Sequence, residues 1–257
     1  MSKRKLARGE EPPDPDSMRP DDFEDPYEVF YWMGYFAGRR SKDGPPPAKK
    51  ARHEEPEEER EEKKPLCETA HFCVFDTETS GLSGRDCAVQ MALGFFNEDG
   101  RPLGFYDRLW KLPPGVTVSR GSYRIHKISM RKIEEEGYDT APEVRKIMKI
   151  VKRMRERGKR IVAHNAAFDC RILAQTARHH GVDGWDLPRQ QVFCTMARAK
   201  QWCNLKSKKT GKPKAPSNSE LYTILTGSPP TGALHDALVD IKVTARSYVE
   251  GAKRGWW

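Results

Sequence analysis

Residues 67–257 predict an α/β domain, a mixed sheet flanked by helices, preceded by a charged N-terminal tail over 1–66. Three observations carry this. HFCVFDTE at 71–78 is an apolar, aromatic and β-branched run that ends in acids, the pattern of a buried strand. AVQMALGFFNEDG at 88–100 and RPLGFYDRLWKLPPG at 101–115 read as two strands joined by a turn at Glu98–Asp99–Gly100, which makes a three-strand antiparallel start. Helical patterns then alternate with short apolar runs: helix 142–156, strand 160–163, helix 168–180 and a strand around Gln191–Thr195. That order adds parallel strands to the sheet. Helices near 195–203, 217–226 and 234–250 complete the domain.

Composition narrows the class. A chain of 257 residues has room for one core and one active site. Its six cysteines (Cys67, Cys73, Cys87, Cys170, Cys194, Cys203) show no CxxC pairing, which predicts reduced thiols in an intracellular protein and no zinc site. No apolar run reaches membrane-spanning length, and MSKRKLARGEE lacks the apolar stretch of a secretory signal. The expectation is a protein with no membrane partner.

Charge is divided unevenly. Residues 1–66 carry a net charge of −3 and residues 67–257 a net +12. A basic folded part fits binding to a phosphate backbone. Much of the excess lies in RKIMKIVKRMRERGKR at 145–160, expected as a solvated helix face, and in LKSKKTGKPK at 205–214, expected as a flexible strand-guiding loop. The tail's prolines and its EEPEEEREEKK run predict disorder to about residue 66. Within it, the aromatic patch at 27–36 is too apolar for a solvated linker, so residues 25–40 are expected either to dock on their own domain or to engage a protein partner. GPPPAKKARHE at 44–54 resembles a short nuclear-import signal, giving nuclear localisation as the expectation and cytoplasmic as its alternative.

Chemistry concentrates in a few short blocks. FDTET places Asp76 and Glu78 two apart on one strand, so both point the same way. KRIVAHNAAFDCRIL at 159–173 reads as strand, turn and a helix starting near Ala166, with Asp169 in its first turn above the strand edge. GALHDALVDIKVTARSYV at 232–249 is helical, with Leu234, Leu238, Ile241 and Ala245 at core spacing. Five residues on an ideal helix would turn His235 about 140° away from Asp240. His235 is therefore expected at or before the helix start, reaching back over the acids. Four carboxylates and a histidine are what two-metal phosphodiester hydrolysis requires: hard oxygen ligands for two divalent ions and a base for the water.

DTETSGL, IHKIS, AHNAAFD and HDALVD, in this order over roughly residues 70–250, resemble the DEDD exonucleases of the histidine subtype. These are DnaQ-like enzymes that include the proofreading subunit of the bacterial replicative polymerase. The resemblance implies a ribonuclease-H-like fold and 3'-to-5' removal of nucleoside monophosphates with two Mg²⁺ or Mn²⁺ ions, in DNA repair or proofreading. It assigns Asp76, Glu78 and Asp240 to the first metal, Asp76 as the bridge to the second, Asp169 as a direct or water-mediated ligand, and His235 as general base. It also assigns Thr79 to the terminal 3'-hydroxyl, Leu82 to the terminal base, and Ile125, His126 and Phe168 to the pocket walls. Where the family has glycine after the histidine of its IHG block, this chain has Lys127.

Other residues near the motifs read more plainly. Asp236, Asp183 and Asp186 are expected to be solvated acids, His164 a structural histidine at a strand end, and His179 and His180 helix caps. Two further functions stay open: an RNA-trimming exoribonuclease using the same site, and a non-catalytic nucleic-acid-binding adaptor that recruits a replication or repair partner.

Overall fold

The computed structural model describes residues 65–232 and 235–257. The expectations for the tail, its aromatic patch, its import signal and Leu234 lie outside the described residues.

A five-stranded sheet in the order β3-β2-β1-β4-β5 organises the domain. Its strands are β1 (Phe72–Thr79), β2 (Ala88–Phe96), β3 (Pro102–Leu109), β4 (Arg160–Ala163) and β5 (Phe193–Cys194). β1 is central, antiparallel to β2 and parallel to β4, and β5 continues parallel to β4. All nine residues of β2 are buried, the continuous apolar run of a strand covered on both faces. The β2–β3 turn closes as expected: Asn97 N donates to Arg101 O, Gly100 N donates to Asn97 O, and Gly100 takes φ 83°, which glycine adopts without penalty.

Helices cover the sheet on both sides. They are α1 (Leu66–Thr69), α2 (Arg120–His126), α3 (Met130–Glu136), α4 (Thr140–Glu156), α5 (Ala166–His179), α6 (Thr195–Cys203), α7 (Asn218–Thr226) and α8 (Ala237–Lys253). Alternation along β1 divides the core. Cys73 and Phe75 pack with residues of α4 and α5, among them Val144, Ile147, Ile172 and Leu173. Phe72 and Val74 join Ala237, Ile241, Ala245 and Val249 of α8. Cys67, Cys73, Cys87 and Cys170 are buried thiols, and all six cysteines are free. Among the described residues no helix is long and apolar enough to cross a membrane.

Four sequence expectations need correction. α2 and α3 were not expected: each is only seven residues long, too short to show apolar periodicity, and each starts at a serine cap, Ser119 accepting from Ser122 N and Ser129 from Lys132 N. The helix expected from 234 starts at Ala237, because the Asp236 side chain caps it by accepting from Leu238 N and Val239 N. The strand expected over 191–195 shrinks to Phe193–Cys194, since Arg189–Gln191 form a 3₁₀ turn. The 205–214 segment, expected to be a flexible loop, is a hydrogen-bonded hairpin in which Lys206 pairs with Pro213.

Candidate active site

The site forms where β1 outruns its parallel neighbour. β4 pairs with β1 only as far as Val74↔Val162, while β1 continues to Thr79 against β2. The last turns of β1 thus keep backbone donors free on the β4 side. Asp169, in the first turn of α5, occupies that gap: its Oδ1 accepts from Thr77 N at 3.2 Å and from Thr77 Oγ1 at 2.8 Å. The chain reaches α5 through Asn165, which sits in the left-handed region at φ 67°.

The opposite face supplies the other acids. Asp76 and Glu78 continue the Phe72 and Val74 row toward α8, which carries Asp240 in its first turn. Asp240 is tied on both oxygens: Oδ1 accepts from Asn218 Nδ2 at 3.3 Å, and Oδ2 accepts from His235 N at 3.0 Å. His235 lies just ahead of α8, exposed and left-handed at φ 69°. That backbone turn brings it back over the acids, as the sequence spacing required. Glu78, His235 and Asp240 each offer a ligand atom, all within 4.8 Å of one another.

Packing this much negative charge together perturbs it. Burial raises the Asp76 carboxyl well above the usual range, and Asp169, Asp240 and Glu78 push it further. Glu78 is pushed up to about 8 by burial and then by Asp240. Asp169 rises to about 7 because burial outweighs the stabilising hydrogen bonds from Thr77. Burial also raises Asp240 against the opposing influence of His235 and Asn218. A buried set of mutually repelling hard oxygens fits divalent cations, which restore the ionised state.

The residues expected at the substrate pocket surround this strand end. A loop folded on Asp86 carries Leu82. Ser80 Oγ donates to Asp86 Oδ1, Ser83 N and Oγ donate to Oδ2, and Gln175 Nε2 of α5 donates to the backbone oxygens of Ser83 and Asp86. Gly81 is required there, since a Cβ would meet the Asp86 carboxylate at 2.5 Å. The loop leaves Leu82 75% exposed, and Ile125 of α2 is 53% exposed. His126 is buried and fixes the strand end: Nδ1 accepts from Ile128 N, so Nε2 carries the proton and donates to Thr79 O at 3.1 Å. Burial lowers its pKa, which favours this neutral form. Phe168 is partly buried in the α5-side core, with the Arg171 guanidinium 5.3 Å from its ring centroid. Lys127 ends α2 in the left-handed region at φ 61°.

Several positioning residues carry no motif. Thr77 lies inside the DTE block, but its bonds to Asp169 follow only once β4 is known to stop early. Gln90, beside Glu78 in the β1–β2 register, donates to Asp107 Oδ1 and accepts from Ala237 N, tying α8 to the sheet. A glutamine within the apolar AVQMALGFF run was the available signal. Asn218 gives none. Asp236 is a helix cap, and its charge adds to the rise at Asp76 and Glu78.

The remaining titratable residues keep structural places. His164 Nδ1 meets Thr195 Oγ1 at 3.0 Å and Nε2 meets Pro216 O at 3.2 Å, while burial lowers its pKa to about 4. His179 Nε2 contacts Gly84 O, and His180 closes α5. Asp183 is exposed, and Asp186 pairs with Arg155 at 2.8 Å.

Comparison with known proteins places this geometry. A sequence search of curated proteins found no match. Among solved structures, E. coli exonuclease I in complex with a dA16 oligonucleotide shares 17% identity over 72% of this chain and 41% of its own, with a TM-score of 0.57. The nuclease domain of 3'hExo, a DEDDh family member bound to rAMP, shares 15% identity over 72% of this chain and 92% of its own, with a TM-score of 0.53. These likenesses establish the ribonuclease-H-like exonuclease fold, and the chain spans less than half the length of exonuclease I. The RNase_T exonuclease profile matches residues 73–248, a span that runs from the start of β1 to the last turns of α8 and takes in all four acids and His235. With that match over well more than half its length, this chain belongs to the RNase_T exonuclease family.

Proposed function

We propose that the chain is a metal-dependent 3'-to-5' exonuclease that releases nucleoside 5'-monophosphates from DNA or RNA ends. The observation that supports this best is the meeting of Asp76, Glu78, Asp169, Asp240 and His235 at one strand end, with the acids drawn from both faces of the sheet. Asp76, Glu78 and Asp240 are assigned to one divalent ion, and Asp76 and Asp169 to a second. Bound there, divalent ions would supply positive charge to stabilise the charge that builds up in phosphodiester hydrolysis.

The protein's own groups do the rest. His235 is exposed beside Glu78 and Asp240 and is assigned to take the proton of the attacking water. Thr79, held by His126, is assigned to the terminal 3'-hydroxyl. Leu82 and Ile125, with Phe168, are assigned to the terminal base and the pocket walls. The folded part from about residue 67 is taken as the exonuclease domain, and residues 25–40 as a partner-binding element.

Matched end-labelled DNA and RNA oligonucleotides, assayed with Mg²⁺, Mn²⁺ and chelator, test this reading. Stepwise loss of 3'-terminal mononucleotides is expected with metal and none with chelator. His235→Ala should slow turnover by about 10²–10⁴-fold. Turnover in chelator, or a wild-type rate in His235→Ala, would sink the assignments. Relative rates on the two polymers decide between deoxyribonuclease and exoribonuclease.

A further inference from the structure

We propose that the hairpin at 205–214 is a guide for the phosphate backbone of the strand that feeds the acid cluster. This rests on the exonuclease reading and adds to it the surface that holds the polymer.

The hairpin is ordered by its own bonds. Ser207 N donates to Lys212 O, Lys214 N donates to Leu205 O, Gly211 N donates to Ser207 O, and Gly211 closes the turn at φ 67°. Its base is joined to the active-site elements. Pro216 O meets His164 beyond the end of β4, and Asn218 binds Asp240. Six residues of chain span at most about 22 Å, so Lys212 lies within that distance of Asn218.

Its five lysines divide into two kinds. Lys214 is neutralised, with Nζ 2.6 and 2.8 Å from the two Glu220 oxygens, and Glu220 also closes the capping box of α7. Lys214 is a strut. Lys206, Lys208, Lys209 and Lys212 are exposed and form no salt bridge among the described residues. Beside them Arg198 and Lys200 line a hollow of about 530 Å³ with Asn204, Leu205 and Pro213.

Helix α4 is also rich in basic residues, but it is partly self-neutralised. Lys146 pairs with Glu143, Lys152 with Glu156, Arg155 with Asp186, and Arg157 just beyond the helix with Glu68. The hairpin instead presents four exposed ammonium groups, without a salt bridge among the described residues, on a hydrogen-bonded turn. Unpaired ammonium groups exchange water and counterions for phosphates without first breaking an ion pair, and they carry no base-sequence information.

The test uses the full chain and a variant combining Lys206→Ala, Lys208→Ala, Lys209→Ala and Lys212→Ala, beside a matching four-arginine variant. Binding of fluorescein-labelled single-stranded DNA and of RNA of the same sequence is titrated against salt in chelator. Loss of four contacts should shrink the slope of log affinity against log salt by about 2–3 and weaken binding tenfold or more near roughly 0.1 M salt, whereas the arginine variant should keep both. With metal, the KM for polymer should rise in the alanine variant, while hydrolysis of a p-nitrophenyl ester of a nucleoside 5'-monophosphate stays at the wild-type rate. Unchanged salt slope and affinity in a folded alanine variant, judged by circular dichroism, overturn the proposal. If the wild-type chain hydrolyses neither polymer nor ester, the exonuclease reading fails, while the salt slopes still decide the hairpin's role. A loss confined to DNA or to RNA identifies which backbone the hairpin holds.

Discussion

Asp169 and Asp240 reach the same strand end from opposite faces of the sheet, and they are held by different kinds of neighbour. Asp169 is 2% exposed and takes both its bonds from one residue of the central strand, Thr77, one of them from its backbone. Asp240 is fixed by Asn218, at the start of α7, and by the backbone of the left-handed residue His235. Sheet geometry sets the first acid. The second depends on the packing of α7 against α8 and on the backbone of the residue just ahead of α8. The α5 side therefore acts as a fixed reference, and the α8 side is where small changes should show most.

The largest effect expected is on turnover, and it should be the same on both sides. Asp169→Asn and Asp240→Asn each remove a charge that no neighbour replaces, so each should lower kcat by at least about 10²–10³-fold. Stability should separate them. Asparagine at 169 keeps an oxygen to accept from Thr77 and removes a fully buried charge, so the metal-free variant should melt above wild type at pH 8. Asparagine at 240 must also preserve the bond from His235 N and should gain less. Equal melting gains would break the comparison.

A second effect follows from the raised acids. A carboxylate whose pKa is higher in the folded state stabilises that state while protonated; this contribution is complete below the unfolded value, near 4, and is lost as pH rises through the folded value. For Asp169 and Glu78 the window runs from about 4 to between about 7 and 8, with a magnitude on the order of a few kcal/mol in the metal-free protein. Chelated protein should therefore lose melting temperature from pH 5 to pH 8, and Mg²⁺ should restore it mainly at the upper end. His164 acts in the opposite direction: its buried neutral ring favours the fold above about 6.5, an advantage lost as pH falls toward about 4. A flat curve between pH 5 and 8 in chelator would mean that the acids do not repel as their burial implies.

Next come the positioning residues. Asn218→Ala leaves the Asp240 side chain held only by His235 N, and loss of such a supporting partner typically costs about 10–100-fold in metal affinity or activity. Thr77→Val removes one of two bonds to Asp169 and leaves the backbone donor in place, so its effect should be smaller. Metal titrations of both variants check the ranking, and a larger loss in Thr77→Val would reverse the assignment of fixed and adjustable sides.

How much was legible follows the same division. Asp76 and Glu78 were readable because strand alternation is set by the chain itself. His235 was placed ahead of its helix because five residues cannot bring it and Asp240 to one helical face. The three-strand start was equally visible in its apolar runs and its Glu98–Gly100 turn. What escaped was relational. Asn218 has no local signature because its role exists only once α7 lies against α8. α2 and α3 were too short for periodicity, and the 205–214 hairpin looked flexible because its rungs are backbone bonds that a Lys/Gly/Pro composition does not announce.

The smallest effect lies at Lys127, where the sequence departs from the glycine usual in its block. The structure gives that glycine a reason: the residue ends α2 in the left-handed region at φ 61°, ψ 13°, and its N–H caps Tyr123 O. A side chain there meets the steric cost that glycine avoids, about 1 kcal/mol. Lys127→Gly should therefore raise stability by roughly 0.5–1 kcal/mol in urea unfolding, and Lys127→Ala should not, because alanine keeps the Cβ. The adjacent His126 holds Thr79 O, so a firmer α2 end should leave kcat intact. If glycine and alanine behave alike, backbone strain is absent at this position. If Lys127→Gly stabilises the fold yet raises the KM for polymer, the lysine is kept for its charge at the mouth of the pocket, at the expense of the α2 cap.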